Sequence, residues 1–242
     1  LVQEPLFSFA KWYIMSVDVG KKAAGFAAAQ WVQDGMCLGL GSGSTANWFH
    51  IALAERIQRE GIQVCGVAPS QRTEDHCASL GIPTVPLTAG MTLDLAVDGA
   101  DEIAPDLSLI KGGGGALIRE KIVVAAARSF IVIADSSKSV SCLGVFPLPI
   151  AVIPFGWEST QERLQDLLQV EVGIRGGKAN PFVSDDGLYI LDAHCQEIPD
   201  PITLYPQLRT LPGVADCGLF VQMAERAIVG HPDGTTTEML PQ

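Results

Sequence analysis

Two short stretches hold the residue types that could move a proton. One is Asp98-Gly99-Ala100-Asp101-Glu102. The other is Lys111-Gly112-Gly113-Gly114-Gly115, continued by Ala116-Leu117-Ile118-Arg119-Glu120-Lys121. Carboxylates serve as general acids and bases, and an ammonium or a row of unobstructed backbone N–H groups steadies a developing oxyanion. The acidic stretch alone leaves three readings open: a solvated turn closing a strand, a Mg²⁺ site, or acid/base chemistry on a hydroxyl. The glycine run reads as an anion-facing turn rather than a linker, because a strand ends at Lys111 and a helix begins almost at once. Taken singly, Lys111 and Lys138 are ordinary strand-end lysines, Glu120 is a helix-surface residue, and Lys21 and Lys22 lie on a helix surface.

These residues need elements to carry them. The apolar run Leu93–Val97 reads as a strand delivering Asp98, and Leu107–Ile110 as a second delivering Lys111. A helix from Ala116 to about Arg128 carries Glu120. Ligands of an open α/β sheet bind at the carboxyl ends of its strands, so the two stretches should meet in one crevice. Upstream, Met36–Leu40 is a buried strand running into Gly41-Ser42-Gly43-Ser44-Thr45, then a helix from Ala46 to about Arg59 stopped by Gly61. That order suits phosphate oxygens on unpaired helix-start N–H groups. A tight connection capped by Ser44 or Thr45 is the competing reading. Neither the dinucleotide nor the Walker glycine pattern is completed.

The remaining elements follow the same rules. A first helix starts at Ser16 or Asp18 and runs to about Gln33. A strand at Gln63–Ala68, a helix at Ser70–Leu80, a short strand at Thr84–Leu87 and a buried strand at Phe130–Ala134 come next. The texture changes at Phe146-Pro147-Leu148-Pro149. After it come a strand at Ile150–Ile153, a helix at about Ser159–Gln169, a hairpin around Asp185-Asp186-Gly187, a helix at Pro201–Leu211, strand character at Leu219–Val221 and a last strand at Ala227–Gly230. The predicted class is α/β: a mostly parallel Rossmann-like sheet domain with a second, smaller α+β domain. Residues 1–14 read as a leader outside the fold, with Met15 a natural initiator. Residues 15–145 form the catalytic domain, 146–220 the small one, and 221–242 return to the first.

Composition narrows the chemistry. The 242 residues are 48% hydrophobic and 18% charged, which supports a large core. A formal net charge of −11 argues against nucleic acid as a partner and makes an anionic substrate dependent on a local cationic pocket. No apolar run nears the ~20 residues of a membrane span, and the N-terminus lacks a secretory pattern. A cytoplasmic protein with six reduced cysteines is the expectation. The four histidines show no metal-ligand spacing.

Four motifs together resemble the type A ribose-5-phosphate isomerases: Gly39–Ala46, Val97–Glu102, Lys111–Lys121 and Ile133–Lys138. Order and spacing match over about Val17–Thr236, and Phe146–Pro149 fits that family's domain junction. The resemblance implies interconversion of ribose 5-phosphate and ribulose 5-phosphate through an enediolate, with no metal and no organic cofactor. By it, Ser42, Gly43, Ser44 and Thr45 hold the phosphate with help from Lys21. Asp98, Gly99, Ala100 and Asp101 meet the sugar hydroxyls, with Asp98 the candidate for ring opening. Lys111, Gly112, Gly113 and Gly114 steady the oxyanion, Glu120 shuttles the proton, and Lys138 is a further contact. Ser42 stands where the family commonly has Thr. A homodimer or homotetramer is implied. Competing readings are a non-catalytic sugar-phosphate sensor on the same scaffold, which would want a DNA-binding module, and an acyl-CoA transferase.

Overall fold

The first helix, α1, spans Leu6–Ala29. The computed structural model describes the backbone from residue 6 and side chains from residue 17 to the C-terminus. The helix therefore does not start at Ser16 or Asp18. No Pro or Gly interrupts residues 6–19, so both would-be caps are interior positions. The leader expected at 1–14 overlaps this helix, and residues 1–5 lie outside the described residues.

Then follow β1 (Cys37–Leu40), α2 (Gly43–Glu60), β2 (Cys65–Val67), α3 (Gln71–Ser79), β3 (Leu95–Gly99), β4 (Glu102–Ile103), β5 (Leu109–Ile110), α4 (Leu117–Ala125) and β6 (Phe130–Asp135). The second half holds β7 (Leu148–Val152), α5 (Trp157–Leu168), β8 (Val172–Ile174), β9 (Tyr189–Ala193), α6 (Pro201–Thr210), β10 (Val214–Cys217), β11 (Leu219–Phe220), β12 (Arg226–Gly230) and β13 (Thr236–Met239).

Six strands form the main sheet in the order β13-β12-β6-β3-β1-β2, parallel except for β13. Its central strands are buried on both faces, which is why they read as continuous apolar runs. A four-stranded antiparallel sheet, β10-β7-β9-β8, sits in the second half. The fold class is thus as read.

Four details depart from the sequence reading. The strand before Lys111 does not belong to the parallel sheet: β5 pairs antiparallel with β4 and β11 in a separate three-stranded patch. Thr84–Leu87 supplies only a bridge from Thr84 to Gly66. Edge strand β13 and strand β10 were not anticipated. Finally, Cys37 and Cys65 are not free thiols. They are register partners on β1 and β2 with Cα atoms 4.7 Å apart, and they form a disulfide. The sheet itself imposes that spacing, since neighbouring strands lie ~4.8 Å apart.

Two contacts place the helices that matter. α1 crosses the end of β12 backbone to backbone: a Cβ on Gly20 would lie 2.7 Å from the Gly230 carbonyl oxygen, and one on Gly230 would overlap the Gly20 carbonyl. α4 is anchored by Lys121, whose Nζ donates to Asp216 Oδ1 (2.7 Å) and to the Cys217 carbonyl (2.7 Å) on β10. Arg209 completes that network at Asp216 Oδ2, 2.8 Å away.

Candidate active site

α2 begins at Gly43, three residues before the expected start, and its N-cap is Ser42. The Ser42 hydroxyl makes no cap bond. It donates instead to Glu120 Oε1. The first-turn N–H groups thus lack a side-chain cap, and because the N-cap is Ser42 the reading in which Ser44 or Thr45 caps the helix is removed. Lys21 reaches over from α1 and donates to Ser44 Oγ at 3.0 Å. One helix start thus combines free N–H groups, hydroxyls and an ammonium.

At the other end, Lys111 lies between two carboxylates. Its Nζ is 2.9 Å from Asp98 Oδ2, 3.2 Å from Glu120 Oε2, and donates to the Gly99 carbonyl at 2.5 Å. All three residues are buried, at 5% exposure or less. Glu120 is therefore not a helix-surface residue. It falls with Leu117, Lys121, Val123 and Val124 on the buried stripe of α4. Its Oε2 is buried and accepts no hydrogen bond of sound geometry among the described residues, although Lys111 Nζ lies 3.2 Å away.

Asp98 is held differently. Oδ1 accepts the N–H groups of Ser42 (2.9 Å) and Gly99 (2.7 Å), and Oδ2 faces Lys111. Burial raises its carboxyl to about 6; Glu120 adds to the rise, while Lys111 and the Ser42 N–H oppose it. Burial alone would lower Lys111, but Asp98 and Glu120 outweigh it and hold the ammonium firmly protonated. The raised Asp98 has a measurable sign. Between the ordinary carboxyl value near ~4 and about 6, the native state keeps a proton that the unfolded chain has lost, so stability falls as pH rises through that window. Thermal melts of wild type and Asp98→Asn from pH 4 to 7 should show wild type losing ground to the variant as pH rises; a constant difference would refute it.

Between the two ends lies a cavity of about 570 Å³. Its walls include Lys21, Ser42–Thr45, Gly99–Asp101, Lys111–Gly114, Glu120 and Lys138. Asp98 does not line it but sits behind, braced as above. Every other expected site residue reaches this space. Asp101 Oδ2 accepts the Gly113 N–H at 2.8 Å, and the Lys138 ammonium lies 5.9 Å from the Phe146 ring centroid. Glu102 is structural: its carboxylate accepts the N–H groups of Gly144 (2.7 Å) and Phe146 (2.6 Å). Sequence reasoning missed Ser70, Arg72, Thr73 and His76 around α3, and Phe182 from the second half. The α3 residues follow the end of β2, so the strand-end rule could have found them; Phe182 carries no local signal.

The family model for ribose 5-phosphate isomerase A (phosphoriboisomerase A) matches residues 65–234. The chain belongs to this family. A ribose-5-phosphate isomerase A of Synechococcus sp. is 48% identical over 224 residues, covering 92% of this chain and 97% of the relative. One from Cereibacter sphaeroides is 47% identical over 227 residues, covering 91% of each. Among solved structures, the Plasmodium falciparum ribose 5-phosphate isomerase superposes with a TM-score of 0.88 at 33% identity, covering 92% of this chain and 98% of that one. A D-ribose-5-phosphate isomerase in complex with phospho-erythronic acid gives 0.86 at 37% identity, covering 91% and 97%. The ribose-5-phosphate isomerase fold thus accounts for the six-stranded sheet and the antiparallel half alike.

Proposed function

We propose that this chain interconverts D-ribose 5-phosphate and D-ribulose 5-phosphate by moving one proton between C2 and C1 through an enediolate. The observation that carries the mechanism is the buried Lys111–Glu120 contact, with both residues on the wall of the cavity. The phosphate rests on the start of α2, among Ser42–Thr45, with Lys21 beside it. Its binding energy, remote from the bond changes, fixes the reacting end.

The Glu120 carboxylate takes the C2 proton, and the electron pair moves onto O1. Lys111 need not move during this step. As Glu120 becomes neutral its claim on the ammonium lapses, and the new negative charge on the substrate oxygen takes its place. A fixed charge facing the site of developing charge requires no reorganisation. Glu120 then returns the proton to C1, and the O2 proton passes to O1. Ring opening by Asp98 requires it to exchange a present partner for the ring oxygen. A carboxyl held near 6 carries a proton readily enough to donate one. Asp101, Gly99, Ala100 and Lys138 meet the sugar hydroxyls.

The same reading includes a catalytic unit at 15–145, a small unit at 146–220, a return at 221–242, a homo-oligomer and a cytoplasmic setting. Among the described residues no helix is long and apolar enough to cross a membrane. The test is turnover of ribose 5-phosphate by the purified chain in excess chelator. Undiminished activity is expected, because Lys111 already stands where a cation would bridge Asp98 and Glu120. Loss of activity with recovery on adding Mg²⁺ would reject the mechanism.

A further inference from the structure

Arg175 lies outside the sequence motifs, in the loop that leaves β8, yet it grips the glycine run. Its Nη1 donates to the carbonyl oxygens of Gly112 (2.9 Å) and Gly113 (3.0 Å). The rest of the guanidinium forks onto Asp192 of β9, Nε to Oδ2 at 2.9 Å and Nη2 to Oδ1 at 2.5 Å. Asp192 and Arg175 are held by the β8–β9 ladder and by the bond from the Arg175 N–H to the Ile190 carbonyl (2.9 Å). The Phe182 ring stacks 5.8 Å from the guanidinium and covers Gly115, where a Cβ would come within 2.5 Å of the ring.

We infer that Arg175 is a positioning residue for the isomerisation: it turns the glycine run so that a backbone N–H faces the reacting oxygen. In a trans peptide the C=O and the following N–H point in opposite directions. Holding the Gly113 carbonyl on Arg175 therefore turns the Gly114 N–H the other way, and Gly114 lines the cavity. Among the described residues that N–H donates to no protein group. Holding the Gly112 carbonyl turns the Gly113 N–H onto Asp101, which fixes a carboxylate of the same cavity. The Gly112–Gly113 peptide has further holds, since the Gly112 carbonyl also accepts the Gly115 N–H (3.0 Å) and the Gly113 N–H is fixed by Asp101. The peptide that depends on Arg175 is therefore Gly113–Gly114; left unheld, it rotates freely, and a carbonyl turned inward would repel the enediolate. A planar fork can hold Asp192 and two carbonyls at once; a lysine cannot. The inference rests on the proposed mechanism, in which the oxyanion forms beside Lys111.

The test uses Arg175→Met and Arg175→Lys, with steady-state kinetics, thermal melts and competitive inhibition by phospho-erythronic acid and by inorganic phosphate. The first inhibitor carries a carboxylate where the enediolate oxygens would form; the second reports the phosphate seat alone. For Arg175→Met, kcat should fall roughly 10–100-fold, as for misplaced catalytic groups, with KM within about threefold. Inhibition by phospho-erythronic acid should weaken by a similar factor while inhibition by phosphate stays. Added guanidinium should restore part of the rate, and Arg175→Lys should remain impaired. More than half the wild-type kcat, or equal weakening of both inhibitors, overturns the inference. Should Arg175→Met not fold, Asp192→Asn replaces it, and an unchanged kcat there is equally fatal. Glu120→Gln run alongside separates the two ideas: if that variant is inactive and Arg175→Met is not, only Arg175 is wrongly assigned.

Discussion

Glu120→Gln is expected to lower kcat by about 10²–10⁴-fold, the range for loss of a general base, with little change in KM. The amide keeps the shape and can still meet the Ser42 hydroxyl, so the proposed phosphate and sugar contacts should persist. The effect on folding has a definite sign. Asp98, Lys111 and Glu120 form a buried group with two carboxylates against one ammonium. Neutralising one carboxylate leaves a matched pair, so the melting temperature should hold or rise. Asp98 should also ionise at lower pH, because Glu120 is one cause of its rise. Steady-state assays and melts across pH measure both. A variant keeping more than about a tenth of wild-type kcat would remove Glu120 from the role of base.

Lys111→Met is expected to fail in two ways at once. Without the ammonium, Asp98 and Glu120 are left buried and mutually repelling, and removing one partner of a buried pair costs about 3–5 kcal/mol. The enediolate also loses its nearest cation, worth roughly 10²–10³-fold in kcat by comparison with a lost oxyanion donor. Denaturant melts and kinetics on the folded fraction separate the two. The double variant Lys111→Met/Glu120→Gln should be more stable than Lys111→Met alone, since one stranded charge is gone. Its kcat should exceed the product of the single losses, because both groups act on one transition state. Strict additivity of either quantity would mean that the two side chains do not act together.

Much of this site was legible because its signals are local. Strand β1, the glycine turn and α2 follow one another in sequence, and the proposed phosphate seat needs little else. The surface placement of Glu120 was the avoidable error. It recurs with Leu117 and Val124 on the apolar stripe of α4, and a carboxylate on such a stripe is a buried one. Lys111 was identified, but the strand delivering it was misplaced, since two residues of β5 carry too little pattern to tell a parallel strand from an antiparallel patch. The Cys37–Cys65 pair depends on strand register and Arg175 on the packing of two halves of the chain. Neither exists before the tertiary structure does.

The backbone contact between Gly20 and Gly230 ties the order of synthesis to the onset of binding. Lys21 follows Gly20 directly, and the depth to which α1 settles over the sheet is limited by β12, near the end of the chain. A nascent chain can form β1, the glycine turn and α2 early, yet the surface that seats α1 at its final depth is not present until residue 230 has joined the sheet. If the phosphate is seated as proposed, full affinity for it therefore arrives only once β12 has joined the sheet.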